Sequence, residues 1–405
     1  MPARLSPFAA LHHRNFRIFW TGQTVSLIGT WMQSLALGWL VLQLTDSALW
    51  VGLVSFAGSL PVLLFTLPAG VYVDRADKHR LVMRCQALLA VQAAVLTVLT
   101  ATGWVRPAHV ALLAMAAGLI NSVEIPARQS FIVELVGRDD LTNAIALNSS
   151  SFNATRIVGP AIAGLLVAHV GLAVCFAVNT LSYVAVLGGL YRLRLAPAAP
   201  AGAAAHAMER FREGMRFVRG DRRVRALVLC TAFLSLFGFP VIVLLPVFAR
   251  DVLQVGADGL GVMSACLGIG AVSAALGLAA LAPRVRRGRL VSLAAPSFGL
   301  AIIAFTAMRW LPGALVCLGL VGFAMVLNNA ATNTLLQGLV PDGLRGRVMS
   351  LWTTVFVGFA PLGALAMGWL AGRTGAPAAA ALGGGLAALA TGWTLLRTPE
   401  VRSLR

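Results

Sequence analysis

Residues 49–73 read LWVGLVSFAGSLPVLLFTLPAGVYV, which is 25 consecutive positions without a charged side chain. A helix of about 20 apolar residues crosses the hydrocarbon of a bilayer. The charged loop DRADKHR follows at 74–80, and another apolar stretch begins directly after it at Leu81. Long apolar stretches between short polar loops predict an all-α membrane protein, because a helix satisfies its own backbone hydrogen bonds in lipid.

The composition of the chain excludes several other classes of protein. Of its 405 residues, 59% are hydrophobic and 11% are charged, whereas a soluble domain has about 25% charged residues. The five Cys are scattered and no metal-ligand spacing occurs, so we expect no disulfide framework, no metal and no cofactor. No nucleophile elbow and no ATP-binding loop occur either, so we expect that the protein is not an enzyme.

Twelve stretches are long enough to span a bilayer, from Trp20–Leu44 to Ala376–Leu396. A membrane β-barrel would instead show alternating segments of about ten residues. Loops on alternate sides differ in charge: 27 of the 32 Lys and Arg residues lie on one side. The positive-inside rule therefore predicts a multi-pass protein of the inner or plasma membrane with both termini in the cytoplasm. The net charge of +18 then indicates topology and contact with the lipid bilayer rather than nucleic acid.

The spans divide into two six-helix bundles. We predict a first bundle at 1–193, a cytoplasmic linker with an amphipathic helix at 194–225, and a second bundle at 226–405. Two short motifs of the first half recur in the second half. The motif RLV at 80–82 recurs at 289–291, an offset of 209 residues, and DDL at 139–141 recurs as DGL at 342–344, an offset of 203 residues. Duplicated halves are typical of secondary transporters, which bind substrate near the midplane between the halves.

The loop GVYVDRADKHR at 70–80 resembles the motif between helices two and three of the major facilitator superfamily, roughly G-x-x-x-D-R-x-G-R-R. Gly70, Asp74, Arg75 and Lys78 match this motif, whereas Asp77 stands where the family usually has Gly. The stretches 126–136, 143–148 and 156–160 resemble the branch that contains bacterial enterobactin exporters and macrolide-type drug efflux proteins. The resemblance covers nearly the whole chain.

This resemblance implies a secondary active transporter with two pseudo-symmetric bundles that works by alternating access. We expect proton-coupled export of a small drug-like or siderophore-type molecule by a monomer. Gly159 and Pro160 with Gly164 also resemble the fifth-helix motif of drug–proton antiporters, although small residues at a helix crossing are the alternative. Two other functions stay open: an importer or facilitator on the same fold, and a non-transporting membrane sensor or assembly protein.

Two charged residues, Glu124 and Arg156, lie inside the predicted spans, where charges are costly and mark functional sites by default. Side chains tilt toward their helix N-terminus, so Glu124 on the fourth span and Arg156 on the fifth lean toward each other. We predict that they pair or share a polar network that couples proton entry to substrate. The alternative, by resemblance to relatives, is that Glu124 supports the motif loop by bonding Lys78 or Arg80.

Polar and aromatic residues recur at helical spacing and are predicted to line a central substrate cavity together with Arg156. They are Gln23, Ser26, Thr30 and Gln33 on the first span; Asn148, Ser151, Thr155 and Gly159 on the fifth; Phe233 and Phe237 on the seventh; and Asn329, Asn333 and Gln337 on the tenth. Such a cavity suits a neutral or anionic amphipathic molecule. The alternative for each stripe is hydrogen bonding between helices.

The loops predict a cytoplasmic gate. The family resemblance implies that Asp74, in the loop of Gly70, Arg75 and Lys78, contacts the start of the eleventh span. The pseudo-symmetric latch would have opposite polarity, and solvated loop charges are the alternative for both latches. In the first latch, the partners of Asp74 would be Arg345 and Arg347. In the second latch, Arg284 and Arg287 would pair with Asp139 and Asp140.

Overall fold

A computed structural model describes residues 8–137, 139–193, 207–281 and 285–404, and of Leu67, Leu281 and 207–211 it describes the backbone alone. These residues form helices and turns without a strand, and twelve helices are long and apolar enough to cross a bilayer. The predicted all-α fold is confirmed. The spans are Arg14–Thr45, Ala48–Arg75, Lys78–Ala101, Pro107–Val136, Leu141–His169, Leu172–Tyr191, Arg222–Val252, Gly256–Leu281, Arg287–Ala307, Leu311–Leu339, Asp342–Thr374 and Ala376–Leu396. Three further helical segments are Ala9–His12, Ala207–Gly220 and Glu400–Ser403.

The outward faces of the spans carry large apolar side chains, as helices in lipid require. On the third span, Leu88, Val91 and Val95 are 41–59% exposed. In water, a continuous apolar surface of this kind would favour aggregation. In a bilayer it contacts acyl chains, so these faces agree with a multi-pass membrane protein.

Contacts divide the described residues into two compact units. The first unit contains 8–40 and 57–193, and the second contains 41–56 and 207–404. Within the second unit, Arg250 donates to the Asp46 carboxylate at 2.7 Å and to the Leu42 carbonyl oxygen at 3.0 Å, which connects 41–56 to the seventh span. The domain boundaries inferred from the linker and the repeats stay a prediction.

The core of the first unit contains aromatic and aliphatic side chains near one end of its helices. Phe16 and Phe19 of the first span pack with Phe131 of the fourth and with Val186 and Leu190 of the sixth. The rings of Phe19 and Phe131 meet edge to face with centroids 5.5 Å apart. This packing holds the first, fourth and sixth spans together at the end where the loop 76–77 lies.

Glycines let the helices of the second unit approach closely. A Cβ at Gly270 of the eighth span would lie 1.9 Å from the carbonyl oxygen of Gly319 on the tenth, and one at Gly322 would lie 1.9 Å from that of Leu267. Small residues at helix crossings allow this backbone contact. The eighth and tenth spans therefore pack along a seam that tolerates no side chain at these positions.

The seventh span is irregular in its second half. It is α-helical from Arg222 to Phe233, then passes through π turns at 234–238 and 248–252 and a 3-10 turn at 239–244. Pro240 and Pro246 lie in this stretch, and Pro lacks the N–H that a regular helix needs. Short π and 3-10 turns inside a helix are frequent at functional sites.

The helix Ala207–Gly220 packs against the start of the eleventh span. Glu213 forms an ion pair with Arg347, and Gly214 lies close to the Arg347 carbonyl oxygen. The helix lies in the predicted amphipathic segment, although the linker residues 194–206 and the side chains of Met208 and Phe211 lie outside the described residues. Asp221 then caps the seventh span through the N–H groups of Arg223 and Val224. Burial acts to raise the pKa of Asp221, but hydrogen bonds from Arg223 and from these N–H groups outweigh it and hold the pKa below its ordinary value.

Candidate functional site

A buried charge cluster lies in the middle of the fourth span. The Glu124 side chain is 5% exposed, and its Oε1 accepts hydrogen bonds from Arg128 Nε at 2.9 Å and from Gln86 Nε2 at 3.1 Å. Arg128 is one turn further along the same helix, and Gln86 comes from the third span. Glu124 lies twelve residues before Val136, or about 18 Å from that end of the helix. The carboxylate therefore has its counter-charge within the membrane-spanning segment.

This arrangement corrects both sequence-based interpretations of Glu124. Among the described residues, Glu124 does not pair with Arg156, and Lys78 instead forms an ion pair with Glu134 at 3.0 Å. The prediction overlooked Arg128 because it was assigned to a loop, whereas the fourth span continues to Val136. The i, i+4 spacing of Glu124 and Arg128 on one helix was the signal that could have found the pair.

Arg156 lies near the middle of the fifth span and is partly buried. Its Nη2 atom is shielded from solvent and has no hydrogen-bond partner. No ion pair to Arg156 occurs within the described ranges, where every acidic partner is engaged elsewhere or lies closer to a loop. A guanidinium at this depth without a counter-charge is costly, and it therefore indicates a functional role.

The polar stripe of the first span faces other helices of the first unit. Gln33 donates to Gln92 Oε1 of the third span at 3.2 Å and accepts from Asn179 Nδ2 of the sixth at 2.7 Å. Thr30 contacts the Tyr183 hydroxyl at 3.3 Å. Gln23 and Ser26 are also buried. These contacts correspond to the helix-packing alternative and show that Gln92 and Asn179, which the sequence analysis overlooked, complete a buried amide network.

The predicted stripe of the fifth span also packs against the first span. Ser151 accepts a hydrogen bond from Thr24 at 3.1 Å, Thr155 is buried, and a Cβ at Gly159 would lie 2.6 Å from Cβ of Trp31. Asn148 is half-exposed.

The accessible polar arc of the fifth span is rotated away from that stripe. It contains Ser149, Ser150 and Asn153, which are exposed, and it leads toward Arg156. Polar side chains on an exposed arc fit an aqueous path better than lipid. This arc was not predicted, because the predicted stripe lies about one residue around the helix from it.

In the second unit, the predicted cavity residues lie on two helices. Phe233 and Phe237 share a face of the seventh span and stack with centroids 6.5 Å apart. On the tenth span Asn329 and Asn333 are half-buried, and Asn333 Oδ1 accepts a hydrogen bond from Gln337 at 2.5 Å.

The neighbouring polar residues of the tenth span, Asn328 and Thr332, were overlooked. Both are buried, and the Asn328 Oδ1 and Thr332 Oγ1 atoms have no partner.

The predicted gate residues of the first unit lie at the ends of the second to fifth spans. Asp74 is half-buried, Arg75 is exposed, and a side chain at Gly70 would meet open space. Lys78 pairs with Glu134, as described above. Asp140 contacts His13 Nε2 at 2.7 Å, whereas Asp139 is exposed.

Two predicted gate residues of the second unit, Arg345 and Arg347, have partners within that unit. Arg345 pairs with Asp342 at 2.5 Å and donates to the Gln337 carbonyl oxygen, and Arg347 pairs with Glu213. Arg287 is half-buried at the start of the ninth span, and Arg284 lies outside the described residues. Each latch would therefore have to exchange some of these pairs.

The family described as transmembrane secretion effector matches residues 5–404. The chain belongs to the major facilitator superfamily. The predicted family is thereby confirmed, and the protein is a transporter of small molecules in a lipid bilayer.

Curated relatives of this transporter cover most of its length. The chain is 30% identical over 364 residues to "Multidrug efflux pump Tap" of Mycolicibacterium fortuitum, covering 86% of this chain and 87% of that one. It is 26% identical to "Staphyloferrin A transporter" of Staphylococcus aureus over 87% of this chain and 88% of that one. It is 27% identical to "Enterobactin exporter EntS" of Escherichia coli over 95% and 91%.

Solved structures agree on the fold of the transporter. A peptide transporter POT has a TM-score of 0.78 at 12% identity, covering 96% of its own chain and 97% of this one. A bacterial homologue of the lysosomal transporter Spinster has a TM-score of 0.71 at 15% identity, covering 95% of its own chain and 96% of this one. At these identities the likeness concerns the fold alone.

The departure of this transporter from the family motif at Asp77 has a structural reason. Asp77 is the N-cap of the third span, and its carboxylate accepts from the Arg80 N–H at 3.0 Å. Gly at this position would leave that helix N-terminus without a side-chain cap. Asp77 therefore serves the start of the third span.

Proposed function

We propose that this transporter is a proton-coupled exporter of a small organic molecule, with both termini in the cytoplasm and with the monomer as the working unit. Its membrane would be the inner or plasma membrane, because the side that carries most Lys and Arg residues faces the cytoplasm. The relatives named as an efflux pump and as a siderophore exporter support export over import.

The buried Glu124 cluster carries the proton-coupling proposal. Glu124 is 3% exposed as a residue and shares its Oε1 between Arg128 and Gln86. Arg128 is the counter-charge of this buried carboxylate. A proton and Arg128 therefore compete for the same carboxylate, which provides two exclusive states.

Proton exchange at Glu124 would follow the conformational cycle. In the state described, Arg128 and Gln86 hold the carboxylate. Protonation would remove the charge attraction to Arg128 and free this guanidinium to contact another group. A transport cycle needs such a switch, because a proton gradient does work only when proton binding favours one conformation over the other.

Substrate would pass along the exposed polar arc of the fifth span. Ser149, Ser150 and Asn153 lead toward Arg156 at mid-span. Phe233 and Phe237 of the seventh span are half-buried and would offer apolar contacts to an amphipathic molecule. These residue types suit an organic molecule with polar and apolar parts.

The crossed latches remain part of the proposal. Asp74 would pair with Arg345 or Arg347 when the cytoplasmic side closes, and Asp139 or Asp140 would pair with Arg287 or Arg284. The carboxylate of Asp74 would also be favoured by a helix N-terminus.

A vesicle assay tests the proposal. Inside-out vesicles with an imposed pH gradient receive carboxyfluorescein or coumarin, and the uptake of the dye and proton release are followed together. We expect gradient-driven uptake by the wild type and its loss in Glu124→Gln, which keeps the shape of the side chain but cannot be charged.

The matched control is Glu134→Gln on the same helix. Glu134 pairs with Lys78 near the end of the fourth span and is more exposed than Glu124, so coupling should persist. Full pH-gradient dependence in Glu124→Gln would refute a coupling role for Glu124. Dye equilibration by the wild type, unaffected by collapse of the gradient, would favour the facilitator alternative.

A further inference from the structure

Arg156 is a mid-span guanidinium for which the first unit supplies no counter-charge in its described ranges. We propose that Arg156 binds an acidic group of the transported molecule, so that the substrates of this protein are amphipathic organic anions. This inference rests on the proposed transport function and names the substrate class of its site.

The acidic residues of the first unit are placed where they do not neutralise Arg156. Five acidic residues lie at or near the ends of spans: Asp74, Asp77, Glu134, Asp139 and Asp140. Arg156 instead lies thirteen residues, or about 20 Å, from His169 at the far end of its helix. The one acid at a comparable depth in the described part of this unit is Glu124, and its charge is already matched by Arg128.

The turns on both sides of Arg156 contact the same side chain of the first span, Trp31. The Phe152 ring meets the Trp31 ring edge to face at 5.5 Å, and a Cβ at Gly159 would lie 2.6 Å from Cβ of Trp31. The Trp31 Nε1 atom, like Arg156 Nη2, is buried and has no partner. Two unmatched N–H donors therefore lie in one region of the first unit, beside two aromatic rings.

This combination fits one kind of ligand. A guanidinium with a shielded, unmatched N–H donor is unfavourable unless a counter-ion and hydrogen-bond acceptors compensate it. A carboxylate or sulfonate supplies both, because its oxygens match the planar fork of Arg. The rings of Trp31 and Phe152 offer an apolar surface for the organic body of the same molecule.

The second unit carries an apolar residue at the position that corresponds to Arg156. At the repeat offset of 203, this residue is Phe359 on the eleventh span, which is partly exposed. At this pair of repeat positions, the positive charge therefore occurs in the first unit alone.

Thermal unfolding of the purified protein in detergent tests the proposal with two probes of equal shape. One probe is 2-naphthoate, an anion, and the other is 2-naphthamide, which is neutral. We expect naphthoate to raise the melting temperature of the wild type more than naphthamide does. Arg156→Gln should need at least tenfold more naphthoate for the same shift, and Arg156→Lys should retain a preference for the anion. Arg373→Gln, a control in the last turn of the eleventh span, should behave as the wild type.

The ligand-free proteins give a second readout. Because Arg156 lacks a counter-charge, Arg156→Gln should melt at a temperature equal to or above that of the wild type, whereas loss of a structural ion pair would lower it. Equal responses of the wild type to the two probes would overturn the proposal, even if the variants failed to fold. Undiminished naphthoate binding by Arg156→Gln would also overturn the proposal. A lower melting temperature of ligand-free Arg156→Gln than of the wild type would overturn it as well.

Failure of this inference can be told apart from failure of the proposed function. The melting assay uses no gradient, so it reports on anion binding alone. Anion binding through Arg156 without gradient-driven transport would refute proton-coupled export and leave the anion site intact. Coupled transport with equal affinity for both probes would refute the anion site alone.

Discussion

The two units stabilise their interiors by different chemistry. The first unit buries charges and amides: Glu124 with Arg128 and Gln86, and Gln33 with Gln92 and Asn179. The second unit packs aromatic rings and bare backbone. Phe239 meets Phe298 and Phe356 with centroids 5.4 and 5.3 Å apart, Phe248 meets Phe305 at 4.6 Å, and glycines of the eighth and tenth spans touch backbone.

The repeat makes this difference visible position by position. At the offset of 203, Glu124 corresponds to Leu327, Arg128 to Ala331 and Arg156 to Phe359. The charged chemistry has no counterpart in the second unit at these positions. The comparison teaches that a duplicated fold can preserve its helices while charged side chains occupy these positions in one copy alone.

The charge pair provides the strongest test of the comparison. Glu124→Leu gives the first unit the residue of the second and leaves Arg128 buried without its partner, which should cost about 3–5 kcal/mol. The double variant Glu124→Leu with Arg128→Ala removes both charges and should regain much of this loss. Denaturant unfolding in detergent measures both, with Leu327→Met as a near-neutral control. A double variant no more stable than the single one would contradict a pairing role.

The glycine seam of the second unit should respond to a single methyl group. Gly322→Ala places a Cβ against the Leu267 carbonyl oxygen and should cost up to about 3 kcal/mol through overpacking. Gly338→Ala on the same helix meets nothing within 4 Å and should be neutral or slightly stabilising. The same unfolding measurement compares them. Equal effects of the two substitutions would mean that close backbone approach does not stabilise this unit.

Amide hydrogen-bond networks should contribute to the stability of the first unit and not to that of the second. Gln33→Leu leaves Gln92 Oε1 and Asn179 Nδ2 buried without partners and should cost about 1–3 kcal/mol. Gln337→Leu removes an exposed amide from the tenth span and should change the melting temperature little. A larger effect at Gln337 than at Gln33 would reverse the comparison.

The smallest expected difference concerns the starts of the third and ninth spans. Asp77 caps the third span, whereas Arg286, its equivalent at the offset of 209, gives the ninth span no side-chain cap. Asp77→Ala should cost about 1 kcal/mol, and Arg286→Asp should add stability of similar or smaller size. Both effects are measurable as shifts of the melting temperature. A stabilising Asp77→Ala would show that the cap does not form.

Sequence reasoning predicted the spans and the family but misassigned the partners of particular residues. The charge of Arg128 interrupts the apolar stretch and hides its place in the span, although the fourth helix continues for two more turns to Val136. The fifth-span stripe was chosen by spacing alone, and the accessible arc with Asn153 lies about one residue around the helix. Periodicity indicates which residues share a face, but it does not say what that face contacts.

The sequence by itself determined the twelve spans, because apolar length acts locally and needs no tertiary information. Its motifs also carried the resemblance to the major facilitator superfamily. The tertiary structure alone decided that Gln86 of the third span contacts Glu124, that Gln33 serves the helix packing of the first unit, and that Arg156 keeps an unmatched donor. These outcomes depend on which helices meet and at what rotation. Both are properties of the packed helices that a linear pattern does not contain.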